Sequence, residues 1–170
     1  VTSSIASGNP TAPGGQFQVV VRVSQNDSGF LPCAVAFRVN YPSNSVRWVG
    51  VQGGELGAAL TGAMVGGQPG VSQDVATMSN IGNKNPTPRC FTVTFQVLDN
   101  PAFPYSIYVD DQPRSSGPLL ATDLDTRIPH VFDNFALTNI GLGLSPTETP
   151  QPTESPRPTA SPAPTAEPTD

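Results

Sequence analysis

The sequence predicts an all-β protein: an antiparallel β-sandwich of jelly-roll type with about nine strands, followed by an extended Pro/Thr-rich tail. Three observations support this fold class. Short segments alternate apolar and polar residues, as half-buried strands do. Clusters of Gly, Pro and Asn separate these segments and are typical of turns. No segment shows a convincing helical period of apolar residues.

Six segments carry the alternating pattern. In residues 16–23, Phe17 and Val19 share one face of the strand, and Gln16 and Gln18 share the other. Residues 58–65 are compatible with a helical turn, although the glycines around them disfavour anything longer. The predicted strands are residues 16–23, 33–41, 46–51, 91–97, 105–109 and 135–142.

Composition divides the chain into two parts. Residues 1–144 have the size of one domain that buries its own core. Residues 145–170 contain eight prolines, six threonines and no aromatic or large aliphatic residue, so they have nothing to bury. Three successive hexapeptides that begin P-x-P-T, at 150–155, 156–161 and 162–167, predict an extended polyproline stalk. Its length would be about 80 Å.

Candidate glycosylation sites lie in this tail and in one turn. Threonines beside prolines suit O-glycans, and Asn26-Asp27-Ser28 fits an N-glycosylation sequon. Glycans would stiffen the stalk and protect it from proteases. The candidate acceptors are Asn26, Thr147, Thr153, Thr159 and Thr165.

The charge content of the chain bears on its location and on the ligands that it is expected to bind. Charged residues make up only 12% of the chain, and the net charge is −5. A low charge content with a polar Gly/Ser/Thr/Asn surface is typical of secreted β proteins, so we expect an extracellular or cell-surface location. No basic run suits nucleic acid or anionic lipid, and no apolar run is long enough to span a membrane.

Two cysteines, Cys33 and Cys90, predict one disulfide in an oxidising compartment. Cys33 shares its face with the core positions of its strand, whereas Cys90 is out of phase with Phe91. The disulfide therefore requires a strand end or bulge at Cys90. The alternative is a pair of buried thiols. Two cysteines and one histidine do not make a metal site.

Acidic residues and the single histidine are the remaining polar candidates. Asp123 and Asp125 are the candidates for a structural calcium site, with a solvated loop as the simpler interpretation. For His130 we expect a structural role in a loop or at a strand edge, since no nucleophile motif accompanies it. The sequence therefore predicts no enzyme activity and no cofactor other than that calcium.

Aromatic residues could form a platform for sugars, as in carbohydrate-binding modules. Trp48 has the same parity as Val46, which favours burial in the core. Tyr108 has the opposite parity to its core-facing neighbours and is the better candidate for an exposed binding residue. A polysaccharide ligand therefore stays an alternative.

Three stretches resemble one known family. Residues 8–23 form a small-residue turn with proline and glycine, followed by an alternating valine strand. Residues 41–51, YPSNSVRWVGV, are similar to the family's tyrosine–aspartate–proline segment and its valine–glycine–valine strand end, with Pro42 one position early and no aspartate. Residues 91–97 and 105–109 resemble its late strand pair. The family is that of the cohesin-like domains of bacterial extracellular proteins, and the resemblance covers residues 5–142.

The resemblance implies a nine-stranded sandwich without catalytic function that binds a calcium-loaded dockerin module through one sheet face. We therefore expect a protein partner, which is either dockerin-like or another copy of this chain. In the second case the protein would be a subunit of a filament or surface layer, and residues 1–5 or the tail would be donated to the next copy. The remaining alternative is a carbohydrate-binding module tethered by the tail to an enzyme.

Overall fold

The protein is a sandwich of two antiparallel sheets, as the sequence predicts. The computed structural model describes residues 1–61, 72–78, 85–111, 119–121 and 128–144. Within these residues lie nine strands and one short 3-10 helix, Phe135–Leu137. The strands are β1 Thr2–Gly8, β2 Gln16–Arg22, β3 Ala34–Asn40, β4 Val46–Gly53, β5 Ala59–Thr61, β6 Ser72–Met78, β7 Arg89–Val97, β8 Tyr108–Asp111 and β9 Leu119–Ala121.

The two sheets have different strand orders. The four-stranded sheet has the order β1-β2-β7-β4, and the five-stranded sheet has the order β5-β6-β3-β8. β9 also pairs with β3, so two short strands share one edge of β3. No helix in the described ranges is long and apolar enough to cross a membrane.

Four predicted strands are confirmed with small shifts at their ends: β2, β3, β4 and β7. The predicted strand 105–109 is wrong at its start, because Tyr105 forms only an isolated bridge with Ile140. The predicted strand 135–142 is also wrong. Its residues form the 3-10 helix and then turns at Asn139 and Gly141, whose positive φ angles of 52° and 77° interrupt an extended backbone.

The helical turn considered for residues 58–65 is wrong in the part that the structure describes. Ala59–Thr61 is strand β5, which pairs antiparallel with β6. Residues 62–65 lie outside the described ranges. Sequence analysis also missed β1, β6 and β9, since their segments do not show a strong alternation of apolar and polar side chains.

Aromatic rings fill the space between the sheets. Phe17 stacks on Phe95 with ring centroids 5.6 Å apart, and Phe37 of the opposite sheet meets Phe91 at 6.4 Å. Valines of β2, β3 and β7 complete the core, because their inward positions repeat every second residue. Full burial of each such side chain stabilises the fold by about 1.5–3 kcal/mol.

The segment 128–144 closes one open side of the sandwich between β1 and β8. The backbone N–H of Ser3 donates to the carbonyl oxygen of Asp133 at 3.0 Å. The side-chain amide of Asn134 pairs with the backbone of Val109: its Oδ1 accepts at 3.0 Å and its Nδ2 donates at 2.9 Å. Asn134 therefore occupies the outer edge of β8 as a neighbouring strand would.

Candidate functional site

The outer surface of the five-stranded sheet is the candidate site. Residues directly opposite each other in register have side chains on the same side, so the strand pairing identifies the outward positions. We call the described members the five-stranded face: Ala34, Ala36, Arg38, Asn40, Leu60, Ser72, Asp74, Ala76, Met78, Tyr108 and Asp110.

The five-stranded face has small residues at its centre and exposed apolar residues around it. Ala36 and Ala76 are paired in register, but Ala36 is fully buried and Ala76 is half-buried, so the accessible surface belongs to the residues around them. Leu60 is 63% exposed, Met78 72% and Tyr108 46%. Exposed apolar and aromatic side chains around a small-residue centre are the composition of protein-binding surfaces.

An ion pair fixes the middle of this face. Arg38 and Asp74 are directly opposite, and Nε and Nη2 of Arg38 donate to the two carboxylate oxygens at 2.7 and 3.1 Å. The side chain of Asp74 is only 3% exposed. The hydrogen bond from Arg38 to Asp74 raises the pKa of the guanidinium above its usual range. The fork geometry holds both side chains flat along the sheet.

The acidic edge of the same face lies on β8. Asp110 is exposed, and its carboxylate accepts a hydrogen bond from Asn40 Nδ2 at 3.1 Å. The next residue, Asp111, contacts Nε2 of His130 at 2.7 Å, while Nδ1 of His130 lies 2.9 Å from the carbonyl oxygen of Ile128. Both nitrogens of the histidine are thus engaged, so His130 has the structural position that the sequence predicts.

The outer surface of the four-stranded sheet is different in character. Its described outward side chains are glutamines, threonines, serines and arginines, with Val20 buried beneath them. Val49, in a bulge of β4, is 48% exposed. We call the following residues the four-stranded face: Thr2, Ser4, Ser7, Gln16, Gln18, Val20, Arg22, Arg47, Gly50, Gln52, Arg89, Thr92, Thr94 and Gln96.

The aromatic candidates do not form a sugar platform. Trp48 is half-buried and packs edge-on against Phe95, with ring centroids 5.6 Å apart. Tyr41 and Tyr105 are buried, and the Tyr105 hydroxyl donates to the carbonyl oxygen of Pro10. Burial raises the pKa of the Tyr105 hydroxyl well above its usual value. Tyr108 is exposed, as predicted, and stands apart from these three rings.

The predicted disulfide is absent, which corrects the sequence-based expectation. Cys33 and Cys90 are both buried free thiols. Cys33 precedes β3 and Cys90 lies in β7 of the opposite sheet. Each sulfur faces a carbonyl oxygen of its own segment, that of Leu31 at 3.6 Å and that of Pro88 at 3.8 Å. Burial raises the pKa of the Cys90 thiol to about 12, so this thiol stays protonated at neutral pH.

Of the candidate glycosylation and calcium sites, only Asn26 lies within the described residues. Asn26 Nδ2 donates to the carbonyl oxygens of Phe30 at 2.6 Å and Pro86 at 3.0 Å, so an N-glycan would replace one of these bonds. Asp123 and Asp125 lie outside the described residues, and so do Thr147, Thr153, Thr159 and Thr165. Within the described ranges, no three His, Cys, Asp or Glu side chains are grouped as metal ligands.

The sequence did not predict the members of the five-stranded face on β5 and β6, which include Leu60, Asp74 and Met78. The inward positions of β6 include Gln73 and Thr77 and therefore give no apolar alternation. One signal for this pair was available in the sequence: Arg38 and Asp74 each lie in the middle of a segment compatible with a β-strand. Charges at such positions are rarely buried unless they pair.

Two solved structures have the same fold as this chain, and both contain a cohesin module. The complex of CaCohA2 with a point variant of CaDoc0917 at pH 5.5 matches with a TM-score of 0.58 and 14% identity, over 78% of this chain and 94% of that chain. CaCohA2 of Clostridium acetobutylicum in solution matches with a TM-score of 0.52 and 16% identity, over 75% and 82%.

A third match is the seventh ScaB type I cohesin of Pseudobacteroides cellulosolvens, with a TM-score of 0.49 and 17% identity over 64% of this chain and 73% of that one. The conclusion about the fold rests on the two matches to CaCohA2: this chain has the β-sandwich fold of cohesin modules. No protein-family model and no curated protein sequence matches the chain.

Proposed function

We propose that this protein is a non-catalytic module of an extracellular assembly that binds a protein partner through its five-stranded face. The observation that carries the proposal is the exposure of Leu60, Met78 and Tyr108 on one face of the sheet. Large exposed apolar side chains on a rigid sheet cost solvation free energy, and burial against a partner recovers it.

The chemistry of this face defines its partner. Apolar side chains would fill the contacts to Leu60 and Met78, and a basic group would meet the exposed carboxylate of Asp110. A dockerin-type module fits the cohesin fold of the chain. The matched CaCohA2 structure is itself a complex with a variant of CaDoc0917, that is, of one protein bound to another.

The extracellular location rests on composition. The chain is poor in charged residues, and the Pro/Thr-rich residues 145–170 suit a stalk that would separate the module from a surface or a neighbour. The threonines of that segment and the aspartates 123 and 125 stay candidates for O-glycans and for calcium, respectively.

The other two candidate functions have less support. A filament subunit that donates residues 1–5 is disfavoured, because β1 already pairs with β2 of its own chain over Thr2–Gly8. A carbohydrate-binding module that stacks sugars on aromatic rings requires several exposed rings, whereas Trp48 and Tyr41 pack against each other and against Phe95. The self-assembling subunit remains an outcome of the test below.

The test is calorimetric titration of the purified chain with calcium-loaded dockerin modules, beginning with CaDoc0917 and those of the source organism. The double substitution Leu60→Asp with Met78→Asp places two charges in the apolar part of the face, and we expect it to raise Kd at least about 100-fold. The matched control is Val49→Asp on the opposite sheet, which is similarly exposed and should leave Kd within about threefold.

Three results would contradict the proposal. One is an equal loss of affinity in the Val49→Asp control. Another is unchanged affinity in the double variant, with circular dichroism showing both proteins folded. The third is the absence of binding to every dockerin at millimolar concentration, with sedimentation velocity showing a monomer. Concentration-dependent polymers in that sedimentation experiment would favour the self-assembling subunit instead.

A further inference from the structure

The fold sorts the charges of the chain between its two sheets. The strands of the four-stranded sheet contain three arginines, Arg22, Arg47 and Arg89, and no aspartate or glutamate. The described strands of the five-stranded sheet contain three aspartates and one arginine. An acidic protein with a net charge of −5 therefore presents one face whose charged side chains are all basic.

Two of these arginines are placed against each other. Arg22 and Arg89 are register partners across β2 and β7, and both side chains are exposed. Among the described residues, neither guanidinium forms an ion pair or a side-chain hydrogen bond. Like charges directly opposite each other in a sheet are destabilising. An anionic group held between the two guanidinium forks would remove that repulsion.

The rest of the face continues as a row of polar groups. Arg47 lies at the far end, where it donates to the side-chain oxygen of Gln96. The two basic ends are six residues apart along β2, which corresponds to about 20 Å of strand. Between them, with Val20 and Gly50 as the exceptions, most outward positions hold amides and hydroxyls, including Gln18 and Thr94. Such groups both donate and accept hydrogen bonds.

The composition of this surface selects its ligand. Within its described strands, the four-stranded face has no exposed aromatic side chain. Val49, in the bulge of β4, is the one large apolar side chain that is exposed in these strands. A protein interface of ordinary strength needs apolar anchors. A hydroxyl-rich polymer is bound by protein amides and hydroxyls along its length. If the polymer also carries carboxylates, arginines on the protein bind them. We propose that the four-stranded face binds a linear acidic polysaccharide.

Two acidic residues at the border of this face, Glu55 and Asp133, form no ion pair with its arginines within the described ranges. Glu55 donates its backbone N–H to the carbonyl oxygen of Arg89 at 2.8 Å, but its carboxylate accepts from Asn85. Asp133 pairs with Thr2 through the backbone, and its Oδ1 accepts from the N–H of Phe135 at 3.0 Å. Neither carboxylate forms an ion pair with an arginine of this face among the described residues.

The experiment is affinity electrophoresis of the whole chain through gels that contain polygalacturonate. Methyl-esterified polygalacturonate, which keeps the backbone and loses the charge, is the matched neutral polymer. Polyglutamate tests an acidic polypeptide. We expect retardation by polygalacturonate alone, and we expect about 0.5 M NaCl to abolish it because screening weakens exposed charge pairs. Arg22→Gln with Arg89→Gln should raise the apparent Kd at least about tenfold.

Two control variants complete the design. Arg22→Lys with Arg89→Lys keeps both charges but loses the forks, and it should fall between wild type and the double glutamine variant. Leu60→Asp with Met78→Asp lowers the net charge by the same amount as the double glutamine variant, but on the opposite face, and it should leave retardation unchanged.

Three results would overturn the proposal. They are equal retardation by the methyl-esterified polymer, equal retardation by polyglutamate, and an equal effect of the Leu60→Asp/Met78→Asp control. The proposal is independent of the protein-partner function, since the two use opposite faces. Loss of dockerin binding in Leu60→Asp/Met78→Asp with normal retardation separates the two.

Discussion

The two outer faces of the sandwich use the same residue type in opposite ways. Arg38 on the five-stranded face is clamped by two hydrogen bonds to Asp74, which is buried. Arg22 and Arg89 on the four-stranded face are exposed and have no such partner among the described residues. One arginine thus belongs to the structure of its sheet, whereas the other two are available to a ligand.

The apolar side chains show the reverse distribution. Leu60, Met78 and Tyr108 project from the five-stranded face, and the four-stranded face presents amides and hydroxyls. Both sheets bury the same kind of valine and phenylalanine side chains inside. The difference therefore lies in the outward half of each strand, where packing of the core constrains residue type less than it does on the inward half.

The largest expected effect on stability comes from removing the partner of Arg38, the arginine that forms an ion pair. Asp74→Ala removes the partner of Arg38, whose side chain is 18% exposed, and should lower the free energy of unfolding by about 2–3 kcal/mol. Urea denaturation followed by circular dichroism measures it. The control is Asp110→Ala, an exposed aspartate of the same face, which should change stability by no more than about 0.5 kcal/mol. Equal effects would show that burial of Asp74 has no energetic consequence.

A second prediction concerns the edge of the five-stranded sheet. Asn134→Ala removes two hydrogen bonds to the backbone of Val109, and we expect a loss of about 2 kcal/mol. Asn134→Asp keeps the acceptor but places a carboxylate oxygen against the carbonyl oxygen of Val109, so it should destabilise the protein at least as much as Asn134→Ala. If both variants unfold at the wild-type urea concentration, Asn134 does not stabilise that edge.

A third prediction uses the thiol in the core strand of the four-stranded sheet. Burial raises the pKa of Cys90 to about 12, above the reference value of 9.0 that applies to the unfolded chain. Below pH 9 the thiol is protonated in both the folded and the unfolded state, so its contribution to the free energy of unfolding is fully present there. Between these two pKa values the unfolded state loses the proton first, and stability falls by about 1.4 kcal/mol per pH unit.

The measurement is urea denaturation at several pH values in this range. Cys90→Ala should show a shallower decline than wild type, because Tyr105, whose pKa burial also raises, keeps its own contribution. Identical slopes in the two proteins would mean that Cys90 is not the titrating group. Thiol reagents should react with Cys90 only in the unfolded protein.

The smallest expected effect belongs to the unpaired arginines. Arg22→Gln should leave the free energy of unfolding unchanged or raise it by a few tenths of a kcal/mol, because the repulsion from Arg89 disappears. This gain in stability should vanish in about 0.5 M NaCl, because the salt screens the repulsion between Arg22 and Arg89 in the wild-type protein. A loss above about 1 kcal/mol would show that Arg22 has a structural partner, as Arg38 does.

The sequence was sufficient for the fold class because strands β2, β3, β4 and β7 carry clear alternation. It failed at residues 135–142, where alternating apolar residues occur in a segment that turns at Asn139 and Gly141. It also failed for the cysteines, since residue parity says nothing about the direction of a sulfur atom.

The candidate site was only partly predictable. Tyr108 was found by its parity, but the charge sorting was not, because a net charge of −5 conceals three arginines that share one sheet. Arg22, Arg47 and Arg89 are far apart in the chain, and only the strand order β2-β7-β4 brings them to the same face. Long-range pairing of this kind leaves no local pattern in the sequence.

The most direct test of the two-face account is NMR titration of the isotope-labelled chain with the dockerin that binds it best. We predict that amide shifts concentrate on β3, β5, β6 and β8, with the largest near Leu60, Met78 and Tyr108, and that β2 and β7 stay unchanged at Gln18 and Thr94. Shifts centred on Gln18 and Thr94 instead would contradict the assignment of the protein-binding role to the five-stranded face.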